Sequence, residues 1–94
     1  MYRIWAKKIK NNKIIASLNI KNNENINLIE KRNKCLIEAC QKFDLSVPIL
    51  LKKHEEDFSK FNYITFYSDD FIDDIDFDKL EFELIDDGTE KSNN

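Results

Sequence analysis

Apolar and polar residues alternate over the first twenty-one positions. Tyr2, Ile4 and Ala6 interleave with Arg3, Trp5 and Lys7, and after a break Ile14, Ala16, Leu18 and Ile20 interleave with Lys13, Ser17, Asn19 and Lys21. A two-residue period belongs to a strand with one buried face. Asn11-Asn12 fills the break, and Asn tolerates the positive φ that both corners of a tight hairpin turn require. The pattern predicts an antiparallel hairpin over residues 2–21.

The period then changes. KNNENIN is a polar connector able to supply an N-cap, and from Ile29 the apolar positions Leu36, Ala39, Cys40 and Phe43 fall on one helical face. Glu30, Lys34, Glu38 and Lys42 stand four apart on another, which adds a few tenths of a kcal/mol per favourable pair. A helix is predicted over 27–43. Ser46-Val47-Pro48 stops it, because the residue before a proline is pushed out of the α region. Leu51, Phe58 and Phe61 share a face and predict a short helix over 51–60. Residues 62–67, NYITFY, are β-branched and aromatic and predict a third strand.

Ser68 ahead of Asp69 and Asp70, with Phe71 and Ile75 four apart, predicts a one-turn helix. Leu80, Phe82 and Leu84 alternate with Lys79, Glu81 and Glu83 in a fourth strand. Together these elements make a two-layer α+β domain, a four-stranded antiparallel sheet with the long helix on one face. Its expected core is Ile4, Ile14, Leu18, Leu36, Ala39, Phe43, Ile64, Phe66, Leu80, Phe82 and Leu84.

Ninety-four residues, 41% of them hydrophobic, make one domain rather than two. Its expected extent is 1–86, with a disordered acidic and polar tail over 87–94. One Gly and one Pro leave no phosphate-cradling loop and no repeat architecture. Charges interrupt MYRIWAKKIK and every longer apolar stretch, so the reading is a soluble cytoplasmic protein without a signal peptide or a membrane-spanning helix. Cys35 and Cys40 lie five apart in the predicted helix, too far round its axis for a routine disulfide and without zinc or redox spacing. They read as small buried hydrophobes.

Net charge is −3, but its distribution is uneven. Residues 1–68 hold 13 Lys+Arg against 7 Asp+Glu, whereas residues 69–94 hold 2 against 11. Ten of the eighteen carboxylates fall in SDDFIDDIDFDKLEFELIDD, residues 68–87. Such segregation arises from an interaction surface, or from oppositely charged segments that lie side by side in the fold.

Catalytic and metal chemistries find little support. Asp74, Asp76 and Asp78 match the start of a calcium loop, but Lys79 stands where the turn needs Gly and Ile85 where a bidentate Glu is needed. His54-Glu55 begins a zinc-protease pattern that Phe58 breaks, and no second histidine exists. His54 itself reads as a surface residue in the first turn of a helix. With no nucleophile elbow and no Gly-rich oxyanion loop, a non-catalytic protein without cofactor or metal is expected.

Binding is the remaining class. One face of the sheet would present Arg3, Trp5, Lys7, Lys13, Lys21, Tyr63 and Tyr67, the mixture of aromatics and cations that stacks and neutralises single-stranded RNA. Glu81 and Glu83 would neutralise that same face. The acidic run offers a nucleic-acid mimic, closely spaced carboxylates able to occupy the groove of a basic protein, as some inhibitors of bacterial defence nucleases do. The reading preferred from sequence is a protein-binding module. Its expected partner contacts are Asp69, Asp70, Asp73, Asp74, Asp76, Asp78, Glu81 and Glu83, with Trp5, Tyr63 and Tyr67 as aromatic anchors. The partner is another protein, a basic nucleic-acid-binding one under the mimic alternative. Pairing of two copies through a free sheet edge is the homodimer option.

LIEACQKFDLSVPILL and EDFSKFNYITFYSDDFIDDIDFDKLEFELI resemble a family of short bacterial proteins in which a helix ending DLSxPI is followed by a closing DFIxxIDFDxLE run. The resemblance covers the helix and the C-terminal half, and the N-terminal hairpin more loosely. It implies one intact domain of bacterial origin and assigns no chemistry.

Overall fold

The computed structural model describes residues 1–88. Its elements are β1 (Tyr2–Lys10), β2 (Lys13–Asn22), α1 (Leu28–Lys42), α2 (Lys52–Phe61), β3 (Tyr63–Tyr67), a 3-10 turn (Ser68–Asp70) and β4 (Lys79–Asp87). The four strands form one antiparallel sheet in the order β2-β1-β4-β3. Both helices pack on one face of it, giving the two-layer α+β architecture. Among the described residues no helix is long and apolar enough to cross a membrane.

Local chemistry explains the boundaries. Asn11 and Asn12 both sit at positive φ, 53° and 64°, the geometry of a two-residue turn whose twist matches the flanking strands. Asn27 caps α1, accepting from the Glu30 N–H at 2.9 Å and donating to the Glu30 carboxylate at 2.8 Å. Lys42 pairs with Glu38 as the four-residue spacing requires, whereas Lys34 reaches back to Glu24 at 2.9 Å. Asn62 closes α2 in the left-handed region at φ 58°.

The core lies between the helices and the strand face of Tyr2, Ile4, Ala6, Ile20, Ile64, Phe66, Leu80 and Phe82. Leu36, Ala39, Cys35 and Cys40 of α1 fill it from above. The cysteines are free and buried, the small core residues that their spacing led us to expect, and burial pushes both thiols up to about 11. Leu18, Phe43 and Leu84 sit at its margin.

Three expectations need correction. Ile14 is 51% exposed rather than core, because the register shifts between Lys8 and Ile9. Lys8 pairs with Ala16 and Ile9 with Ile14, so Ile15 is an unpaired bulge. The extra residue turns Ile14 to the bare side of the sheet and Lys13 to the helix side. The helical turn at Ser68 ends at Asp70, before Phe71 and Ile75; Phe71 and Phe77 instead plug the core, Phe71 lying edge-on to Phe66 and to Phe77 at 6.4 and 6.3 Å. His54 is 2% exposed, not a surface residue. Of the expected tail, residue 87 belongs to β4, Gly88 follows it at positive φ, and residues 89–94 lie outside the described residues.

Candidate interaction face

The sheet face opposite the helices is uncovered by any described element, and its register sets out a grid. Asn19, Trp5, Glu83 and Tyr63 form one row across β2, β1, β4 and β3. Ser17, Lys7, Glu81 and Thr65 form the next. Beyond them Ile14, Ile9, Lys79 and Tyr67 follow, and at the other end Arg3 stands between Lys21 and Asp86. Trp5, Tyr63 and Tyr67 therefore share one surface, as their alternation with core residues dictates.

The charges at the centre of this surface are tied to one another. Lys7 Nζ lies 3.2 Å from Glu83 and 3.5 Å from Glu81, and 4.0 Å over the Trp5 ring. These contacts leave Lys7 only 8% exposed although no helix covers it. Tyr63 donates its hydroxyl hydrogen to Glu81, while Lys79 approaches the same carboxylate at 3.8 Å. Burial and the Glu81 hydrogen bond both raise the Tyr63 hydroxyl above its ordinary value, since a phenolate could not donate to a carboxylate. Lys7 and Lys79 thus pair with Glu81 and Glu83, while Arg3 and Lys21 stand beside Asp86 in the register without an ion pair among the described residues. The unequal charge along the chain is in this part a consequence of the fold: basic β1 lies beside acidic β4.

The acidic run divides in two. Asp70 is buried and accepts from the Tyr67 N–H at 2.9 Å, closing the 3-10 turn. Asp78 accepts from the Asn11 N–H at 2.8 Å and so ties the run to the hairpin turn. Glu81 and Glu83 belong to the sheet lattice. Asp69, Asp73, Asp74 and Asp76 remain exposed, on the turn and the loop that precede β4. The loop is held down by Phe71 and Phe77, so its carboxylates are the wet side of an apolar plug.

Two polar arrangements were not visible from spacing. His54 accepts from the Leu51 N–H through Nδ1 at 2.9 Å, stacks against Phe66 with 4.9 Å between ring centres, and turns Nε2 toward Asp70 at 3.4 Å. Arg32, also buried, is held bidentately by Glu55, with Asn33 taking further donors. This pair walls a groove of about 380 Å³ between α1 and α2, floored by Tyr2 and Leu84 and flanked by Leu28 and Phe58. Among the described residues no three His, Cys, Asp or Glu side chains come together to hold a metal ion. From the sequence Arg32 was not singled out, and Glu55 counted only as part of a broken zinc pattern; the one available signal was Arg32 lying three residues before Cys35 and four before Leu36, on the apolar face.

No family model, no curated protein and no solved structure matches this chain.

Proposed function

We propose that the protein is a non-catalytic protein-binding module that docks its partner on the bare sheet face, with Trp5, Tyr63 and Tyr67 as anchors. One observation carries this reading: an uncovered face on which three aromatic side chains are set around a lysine already paired with two carboxylates. Rigid aromatics contribute large contact area for little lost conformational freedom. The lattice of Lys7, Glu81 and Glu83 is preorganised, so a partner need not reorder it. Phosphate-rich single strands would gain little here, because the cation nearest Trp5 is already shared between two carboxylates.

A second reading rests on Asp69, Asp73, Asp74 and Asp76, the exposed carboxylates of the acidic run. These would serve a nucleic-acid mimic aimed at a basic protein. The mimic has fewer free charges than the sequence implied, since Asp70, Asp78, Glu81 and Glu83 are engaged within the fold.

The test places a photo-cross-linking amino acid at position 67 in one variant and at position 73 in another, in a bacterial lysate with and without nuclease. A protein adduct formed from position 67 and insensitive to nuclease is the expected result. Adducts only from position 73, lost at moderate salt, would transfer the function to the acidic loop.

A further inference from the structure

The order β2-β1-β4-β3 leaves β2 at an edge, paired on one side with β1 and with nothing among the described residues on the other. It is ten residues long, against five for β3 at the opposite edge. Exposed edges of this length are normally blunted by a central charge, a proline or a covering loop. Here residues 14–20, IIASLNI, contain no charge, no Pro and no Gly. Ile14 and Ile15 are half exposed, and the only irregularity is the Ile15 bulge. Charge appears at the two ends, as Lys13 and Lys21. Both are exposed, and neither has an ion-pair partner among the described residues. The whole hairpin, residues 2–22, holds six cations and no carboxylate.

We propose that the outer edge of β2 accepts an extended segment of a partner protein as a fifth strand, one with an uncharged, β-prone centre and acidic residues at its ends. Main-chain hydrogen bonds to the free edge would supply affinity, and Lys13 and Lys21 would set register and discriminate by charge. The added strand would extend the bare face beside Asn19 and Trp5. This rests on the protein-binding reading and names the kind of chain that is bound.

The probe is a synthetic peptide of alternating threonine and valine with two glutamates at each end, titrated into the full-length labelled protein while backbone amide shifts and hydrogen exchange are followed. Expected are shifts and slowed exchange along β2 and not β3, with binding about tenfold weaker in Lys13→Glu/Lys21→Glu. The same variant should prefer a peptide with lysine ends. Unchanged β2 amides at about millimolar peptide overturn the proposal. So does concentration-dependent protection of β2 without peptide, which would assign the edge to a second copy. If β2 stays silent while position 67 still cross-links a protein, only the edge assignment fails; if position 67 gives no adduct, the docking face itself is lost.

Discussion

His54 Nε2 faces Asp70 Oδ2 at 3.4 Å, and both residues are buried. Nδ1 accepts from the Leu51 N–H at 2.9 Å, which leaves Nε2 as the ring nitrogen on the side of the carboxylate. The contact ties the first turn of α2 to the turn that ends β3, across the Phe66 ring.

Adjacent aspartates should therefore behave differently. Asp70→Ala removes the acceptor for the Tyr67 N–H and the group facing His54, at a cost of about 2–3 kcal/mol. Asp69→Ala, on an exposed side chain, should change stability by no more than about 0.5 kcal/mol. Urea unfolding midpoints at constant slope compare the two, and equal effects would contradict the structural role given to Asp70.

Lys7→Ala leaves Glu81 and Glu83 on neighbouring positions without the cation between them. The expected loss is about 1–3 kcal/mol, because burying a charge without its partner costs more than the pair itself contributes. Adding Glu83→Gln should recover part of that loss. A double-mutant cycle measures the coupling, and additive effects would mean that the lattice is only a surface arrangement.

The turn predicts a gain rather than a loss. Asn12 holds φ at 64°, which Gly adopts without strain and which an Asn-Gly pair favours most strongly. Asn12→Gly is expected to leave stability unchanged or raise it by about 0.5 kcal/mol, while Asn12→Val should lower it by about 1 kcal/mol or more. Thermal midpoints of the two variants give the answer.

Alkaline pH should loosen the core. Burial raises the Cys35 and Cys40 thiols to about 11 and the Tyr2 hydroxyl to about 12. A group whose folded value is raised contributes stability that is complete below its unfolded value and is lost as pH climbs through the folded one. The thermal midpoint should accordingly fall between about pH 9 and 11, and fall less steeply in Cys35→Ala/Cys40→Ala. A thiol reagent should modify both cysteines quickly only in denaturant.

The strands and helices were legible because their periods are clean. Tyr2, Ile4 and Ala6 fix one strand face, Asn11-Asn12 fixes the turn, and Asn27 with Glu30 announces α1. The bulge at Ile15 was not legible, since an extra residue in one strand has no compositional mark when both neighbours are isoleucine or alanine. His54 was misplaced for a related reason. Lys52, Lys53, Glu55 and Glu56 surround it, yet one residue per turn of a polar helix can still face the core. Trp5, Tyr63 and Tyr67 were brought together by alternation alone, whereas the division of the acidic run depended on contacts distant in sequence, such as Asp78 with Asn11.

The decisive measurement is the affinity of the cross-linked partner, once purified, for the wild-type protein, for Trp5→Ala and for Asp73→Asn/Asp74→Asn/Asp76→Asn, each at low and high salt. Docking on the bare sheet face predicts that Trp5→Ala weakens binding about tenfold or more at both salt concentrations, and that the triple variant alters affinity little once salt screens long-range attraction. Binding that survives Trp5→Ala but collapses in the triple variant or in salt would contradict it and make the acidic loop the site.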